Sequence, residues 1–313
     1  MTTMKKLHKE QAGSTFEFVV PLPRGYKPVD ALTFHGRDKD AVSEIVTDSR
    51  LRKGILLNDL PAVFDIDFGT ARNQAACQIA VDGKVSAAMR QQALDITAGL
   101  VGLRLDPRDF ATFVASDPVF GPLTKRQKAL RIIQSSSIFE ALTWAIMGQQ
   151  INVSFAVSLR RTFVRLAGRR HSSGLWCYPS PADAARLPLE ELTTRQYSRS
   201  KAETILRLAS LVAGGELDLL AGPDNPVESI CQSLLKVKGI GPWTVNYAML
   251  RGYGHADCSL HGDVAVRSAI ARLWGHEVRP DIAATEAFLK KYSPHRTMAA
   301  AHLWASLNTT SSY

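Results

Sequence analysis

The sequence predicts an α+β protein: an N-terminal antiparallel β-sheet unit with helices, followed by a mainly α-helical unit. Three observations carry that prediction. Short apolar or alternating runs (ILL, AVFDIDF, CQIAV) separated by turn residues fill the stretch from Arg52 to Val81, the pattern of strands joined by tight turns. A single long amphipathic segment follows them. After Asp106-Pro107 strand signals nearly vanish, and apolar residues recur at helical spacing.

The elements can be justified in order. Residues 1–13 carry charge with no apolar run behind it, so they are expected to be a flexible start without a secretory signal. Phe16 to Pro21 reads as a strand stopped by its proline, and Tyr26 to His35 as a short helix carrying Leu32 and Phe34. Asp82-Gly83 marks a turn. Ser86 to Leu103 reads as one amphipathic helix with Met89, Leu94, Ile96, Leu100 and Val101 apolar. The α+β unit is expected over residues 14–112 and the helical unit over 113–313, the break falling between Arg104 and Asp117. Asp106 can cap a helix running through Phe110, Phe113 and Val114. Ser137 to Gly148 and Asn152 to Ala167 read as successive helices, the second basic at Arg160, Arg161 and Arg165. Those charges suit either a helix C-terminus or a polyanionic partner. Residues 168–174 read as a basic flexible loop, residues 178–194 as a turn and two short helices, and Tyr197 to Ala213 as a longer helix. Helices over Asp281–Tyr292 and Pro294–Leu307 complete the bundle.

The helical unit is organised around residues 226–251. Asn225 is a good cap with Pro226 in the first turn, and Val227, Ile230 and Leu234 then share a face. Gly239 and Gly241 permit a turn that other residues would strain, and Pro242 suits the first position of the next helix. Such a hairpin exposes backbone N–H groups that favour a phosphate oxygen, and Lys236 and Lys238 add positive charge beside it. A plain glycine-closed helical hairpin is the alternative. The formal charge of +9 over 313 residues makes a polyanionic partner plausible without requiring one. The four cysteines, Cys77, Cys177, Cys231 and Cys258, have spacings that match no zinc motif and suggest no disulfide framework. A reducing compartment and no metal are expected. No segment reaches the apolar length of a membrane span.

The run VKGIGPWTVNYAML, with Asp263 following it in LHGDVAVRSAIARLW, resembles the helix-hairpin-helix DNA glycosylase superfamily. Trp243, Tyr247 and Trp304 match the aromatic positions of one branch, the bacterial 3-methyladenine DNA glycosylase II family. The resemblance implies a monofunctional hydrolase that flips alkylated, cationic purines such as 3-methyladenine from double-stranded DNA. It would then cleave the N-glycosidic bond to start base excision repair. Asp263 would be the catalytic residue, and Trp243, Tyr247, Trp304 and Phe34 would form the base pocket. Gly239, Gly241, Thr244, Lys236 and Lys238 would contact DNA, with Gln150 at the wedge position where some relatives carry an aliphatic residue. The chain lacks the C-terminal cysteine cluster that holds an iron–sulfur centre in another branch, so no cofactor is implied, although the hairpin leaves room for a monovalent cation. A monomer working in the bacterial cytoplasm on nucleoid DNA is the corresponding expectation.

The residues themselves make that chemistry reasonable. Asp is a favoured helix cap, and a helix N-terminus favours its ionised form, so capping and catalysis are compatible at Asp263. Cleavage builds positive charge on the sugar, which a carboxylate beside C1′ stabilises. Trp243 and Tyr247 are four apart and share a helix face. They suit either core packing or a wall for an extruded base, and aromatic faces attract cations. Two rivals stand beside this reading. One is a non-catalytic helix-hairpin-helix DNA-binding module in which Asp263 is only a cap. The other is a bifunctional glycosylase/lyase for oxidised bases. A lyase needs an amine nucleophile, which that branch carries in the first turn of the hairpin's second helix. The matching position here is Trp243.

Overall fold

The computed structural model describes residues 13–308. The flexible start expected over residues 1–13 therefore lies, apart from Gly13, outside the described residues. The fold is α+β. The strands are β1 (Ser14–Pro21), β2 (Glu44–Val46), β3 (Arg50–Leu57), β4 (Leu60–Ala71), β5 (Gln74–Val81), β6 (Arg169–Arg170) and β7 (Trp176–Cys177). They form one sheet in the order β1-β5-β4-β3-β7-β6, with β2 also paired to β3. All pairings are antiparallel except β3 with β7. The β3–β4 turn is Asn58-Asp59, both at positive φ (46° and 65°), the geometry that matches the twist of a two-residue hairpin.

Residues 168–174, expected to be a flexible loop, contribute instead to a small hairpin. Arg169 and Arg170 pair with Cys177 and Trp176, and Cys177 pairs with Gly54. A Cβ at Gly54 would lie 2.1 Å from the Trp176 carbonyl oxygen, so only glycine admits this approach. Strands of two residues are too short to leave a period in the sequence.

Of the helices, α1 (Pro28–His35) and α2 (Ala87–Leu100) belong with the sheet. Then follow α3 (Pro107–Phe113), α4 (Phe120–Arg126), α5 (Ile138–Gly148), α6 (Val153–Ala167), α7 (Pro181–Ala185), α8 (Leu189–Thr193) and α9 (Arg199–Ala213). The series ends with α10 (Val227–Leu235), α11 (Pro242–Ala248), a π turn (Met249–Tyr253), α12 (Val264–Trp274), α13 (Ile282–Lys290) and α14 (Arg296–Asn308). Capping fixes several starts. Ser86 accepts from the Met89 N–H, Asp106 from Arg108, Ser137 from Glu140 and Asn152 from Phe155. One expected cap differs: α10 is capped by Pro226, with no side-chain bond. The Asn225 amide turns back to donate to the Asp218 and Leu220 carbonyls, closing the preceding bend.

Two hydrophobic cores result. One joins sheet residues such as Leu51, Phe64 and Ile79 to Met89, Ala93 and Leu100 of α2. The other fills the helical unit around Phe139, Leu142, Phe163, Ile205 and Ile270. Each unit lends a side chain to its neighbour's core, Val42 to the helical one and Ile133 to the sheet one.

Buried charges stitch the seam. Lys53, only 1% exposed, donates to Glu44 Oε1 at 2.6 Å and to Glu140 Oε1 at 2.9 Å. Arg160 meets Glu140 Oε1 at 2.7 Å and Glu44 Oε2 at 3.2 Å. His35 Nδ1 lies 2.9 Å from Glu44 Oε1. Ser136 bonds the second Glu140 oxygen through its hydroxyl (2.6 Å) and its backbone N–H (2.9 Å). Burial pushes the Glu140 carboxyl up, but Lys53 and Arg160 outweigh that and hold it at about 2. Burial lowers the His35 pKa from its ordinary value. The α6 arginines thus divide: Arg160 serves this seam, and Arg161 pairs with Asp38 and Asp40.

Candidate active site

The hairpin between α10 and α11 uses its two glycines differently. Gly239 has φ +95°, and a Cβ there would meet the Thr204 hydroxyl of α9 at 2.1 Å. Glycine is required there by the fold. Gly241 caps α11 at φ −105°, and a Cβ there would meet nothing within 4 Å. Glycine at that position keeps the surface free rather than relieving strain. Lys236 and Lys238 are exposed beside it.

Thr244, expected to contact DNA, is 2% exposed. Its hydroxyl accepts a bond from the Gln149 amide at 3.0 Å, and the same amide donates to the Gly239 carbonyl at 3.2 Å. The Thr244 side chain therefore braces the hairpin from within and does not reach its surface. Gln149 ties the α5–α6 corner to the hairpin, a role no local pattern announced. Its neighbour Gln150 is exposed at the corner with φ +57°.

Asp263 caps α12, its Oδ1 accepting from the Val266 N–H at 2.9 Å. The capping reading is thus correct as far as it goes, but the carboxylate has two further partners. Trp304 donates its indole N–H to Oδ1 at 3.0 Å, and Trp243 donates its own to Oδ2 at 3.0 Å. The loop before it is held by Asn246, whose Oδ1 accepts from the Ser259 N–H at 2.8 Å. Trp243 and Trp304, expected only as pocket walls, also orient the carboxylate through their polar edges.

Tyr247 stands between those rings, 5.4 Å from Trp243 and 6.5 Å from Trp304 by centroids. Its hydroxyl accepts the Trp144 indole N–H at 3.0 Å. Phe34 arrives from α1, across the seam, against Arg251, and the first unit's contribution to the cleft wall is Arg37. Arg251 joins this set, missed in the sequence although it follows Tyr247 by four residues. Its guanidinium carbon is 4.7 Å from the Phe34 ring centre, 5.5 Å from Trp304 and 6.0 Å from Tyr247. One nitrogen donates to the Ile133 carbonyl at 2.6 Å, while Nε is buried without a partner. Burial lowers the Arg251 pKa; Tyr247 opposes that shift and Arg37 adds to it. Arg37 lies over the Phe34 ring at 4.4 Å.

Arg37, Trp144, Trp243, Tyr247, Arg251, Asp263 and Trp304 line an open cleft of about 1360 Å³ that Gln149, Gln150 and Gly241 also border, whereas Phe34, expected in the base pocket, is not part of its wall. No lysine lines it among the described residues. No cluster of three or more His, Cys, Asp or Glu side chains suited to a metal occurs among the described residues, and the four cysteines are free. No helix among the described residues is long and apolar enough to cross a membrane.

Comparison with known proteins adds a family to this geometry. Residues 143–295 match the family model described as HhH-GPD superfamily base excision DNA repair protein. The chain is 32% identical to YfjP of Bacillus subtilis, provisionally named a DNA-3-methyladenine glycosylase, over 56% of its own length and 61% of that relative. It is 27% identical to a second Bacillus subtilis protein, named DNA-3-methyladenine glycosylase, over 74% of this chain and 78% of that one. The chain thus spans less than two thirds of the first of these relatives and more than two thirds of the second. Among solved structures, the 3-methyladenine DNA-glycosylase from Archaeoglobus fulgidus superposes with a TM-score of 0.77 at 19% identity, covering 95% of this chain and 100% of that one. At that identity the likeness is one of fold.

Proposed function

We propose that this chain, which belongs to the HhH-GPD superfamily of base excision DNA repair proteins, is a monofunctional DNA glycosylase. It hydrolyses the N-glycosidic bond of alkylated purines such as 3-methyladenine in double-stranded DNA. The observation that carries the reading is the Asp263 carboxylate, fixed by two indole N–H groups and a helix cap at the side of a cleft that the glycine hairpin borders. A cap alone needs one oxygen and one backbone N–H. The two tryptophan donors aim both oxygens, as a preorganised catalytic group requires.

In this reading the lysines and the open backbone at Gly241 engage phosphates without reading sequence. The damaged nucleotide rotates out of the stack, and its base enters among Trp243, Tyr247 and Trp304. As the bond to the base lengthens, positive charge grows at C1′, and Asp263 stabilises it. Water adds at C1′, with Asp263 taking its proton. The lyase rival needs an amine in the cleft. At the position where that branch carries lysine stands Trp243, whose only side-chain N–H is committed to Asp263. No metal or cofactor takes part, and the enzyme works as a monomer on the chromosome in the cytoplasm. In this reading Gln150, exposed at the border of the cleft, faces the gap left in the duplex.

The test is release of free base from methylated duplex DNA by the purified protein, with strand cutting and borohydride trapping followed in parallel. Free base with an intact strand is expected. Absence of release overturns the glycosylase reading. A trapped adduct forming as fast as base release overturns the monofunctional one.

A further inference from the structure

We propose that Arg37 is a positioning residue contributed by the sheet unit: its guanidinium binds a backbone phosphate of the damaged strand beside the flipped nucleotide. The inference rests on the glycosylase reading and adds to it a DNA contact that the hairpin does not supply. Arg37 leaves the C-terminal end of α1 just after Gly36. It is exposed, and it lines the cleft together with Trp243, Asp263 and Trp304. The carboxylates grouped with it on the other side of Trp144 are already engaged. Asp38 pairs with Arg161, as does the nearby Asp40. Glu44 and Glu140 are held by Lys53 and Arg160. Among the described residues Arg37 itself forms no ion pair. Its guanidinium rests on aromatic rings instead, 4.4 Å from the Phe34 centre and 5.9 Å from that of Trp144. The counter-charge for Arg37 must therefore come from outside the protein.

A phosphate suits this group in three ways. The planar guanidinium matches two phosphate oxygens with a pair of N–H donors. Stacking on rings orders the side chain beforehand, so less freedom is lost when the anion arrives. The third reason concerns the base. Burial lowers the Arg251 pKa and the charge of Arg37 adds to that shift, so two like charges act on one cleft. A phosphate at Arg37 offsets one of them and eases entry of a positively charged purine. Arg90 supplies the contrast. It too is an exposed arginine of the sheet unit stacked on a phenylalanine, 4.7 Å from the Phe16 centre, but it is not in the cleft wall.

The experiment titrates a duplex carrying a tetrahydrofuran abasic analogue, followed by anisotropy over a range of salt concentrations. Arg37→Gln should weaken binding roughly tenfold at low salt. It should also lower the slope of log affinity against log salt by about 0.9, the value for one phosphate contact. Arg37→Lys keeps the charge and should keep the wild-type slope, with part of the affinity restored. Arg90→Gln removes the same charge away from the cleft and should leave the slope unchanged. On methylated duplex, the protein concentration for half-maximal single-turnover release should rise with Kd in Arg37→Gln, while the maximal rate falls by a smaller factor. Melting temperatures are measured on every variant, and Arg37→Met, which keeps the apolar stem, gives the same readout if the Gln variant is unstable. A wild-type slope in a folded neutral variant overturns the proposal. So does an equal change of slope in Arg90→Gln, or a slope in Arg37→Lys as low as in Arg37→Gln. Wild-type binding with the expected slopes but no base release from methylated duplex overturns the glycosylase reading and leaves the phosphate contact standing. Absence of wild-type binding overturns both.

Discussion

At the seam between the units, Lys53 and Arg160 each meet two carboxylates, both oxygens of Glu140 are bonded, and the group is sealed from solvent. Joined to it by Arg37 and Trp144, which border both spaces, the cleft uses the same kinds of side chain differently. There Arg251 donates to the Ile133 carbonyl and packs against aromatic rings, and Asp263 faces an open space of about 1360 Å³. Buried ion pairs are poor evidence of net stabilisation, because desolvation offsets their attraction. Completeness of partnering is therefore the better guide. A closed network of charges holds two units in register, whereas a carboxylate oriented at the edge of a cavity is available to a ligand.

Substitutions can break or sharpen that contrast, and the largest effect is expected at the open site. Asp263→Asn should lower base release by about 10³-fold, in the range for loss of a preorganised charge or proton acceptor. The structure adds a detail: one amide nitrogen must then face an indole N–H. A cost of about 1–3 kcal/mol for an unsatisfied buried group is expected alongside. Single-turnover kinetics with a parallel denaturation curve separates the two. Near-normal turnover would remove Asp263 from the mechanism.

The seam should respond in the opposite sense. Lys53→Met leaves Glu44 and Glu140 with Arg160 as their remaining cation, and should cost about 3–5 kcal/mol of folding stability. Base release per folded molecule should change only a few-fold. A loss of release without a loss of stability would show that the seam takes part in the chemistry.

Acid should find the seam next. His35 is held neutral by burial, so its contribution to stability is present above its ordinary value of 6.5 and is lost as pH falls below it. The lowered Glu140 carboxyl contributes above its ordinary value of 4.5, and that contribution is lost as pH falls toward about 2. Melting temperature should therefore begin to drop below pH 6.5 and fall most steeply below 4.5. His35→Gln should remove the upper part of that decline; an unchanged profile would exclude His35 as its source.

The smallest effect separates the hairpin glycines. Gly241→Leu should weaken binding to undamaged duplex roughly tenfold, or about 1.4 kcal/mol, at wild-type stability, since its Cβ meets nothing within 4 Å. Gly239→Ala should instead lose stability through its clash with Thr204. Titration by anisotropy at two salt concentrations, with melting curves, reads both. Unchanged affinity in the Gly241 variant would leave the hairpin a structural element only.

Much of the frame was legible because it is written locally. Ser86, Asp106, Ser137 and Asn152 stand where caps belong, the glycine hairpin has a short signature, and Asp263 precedes an apolar-periodic helix. What was not legible depends on approach between distant residues. Lys53 and Glu140 are 87 positions apart, and nothing near either one marks it as buried and paired. The indole bonds to Asp263 span 20 and 41 positions, so the tryptophans read as apolar surface rather than as donors. The bond that holds Thr244 inward comes from Gln149 at the α5–α6 corner, 95 positions away. Arg251 follows Tyr247 by four residues, a spacing that places it on the face shared by Trp243 and Tyr247.

The hairpin of β6 and β7 has one more consequence. It leaves the helical unit to pair with β3, and the Trp176 N–H donates to the Val42 carbonyl at 3.1 Å. Main-chain bonds and a glycine-only contact at Gly54 thus cross the seam. The two units cannot swing apart like hinged jaws without breaking backbone pairing, so the protein meets its partner as a stiff template. In the proposed reading, the distortion that brings a base into the cleft would be borne by the duplex, and the local stiffness of the flanking base steps would become part of what the protein senses.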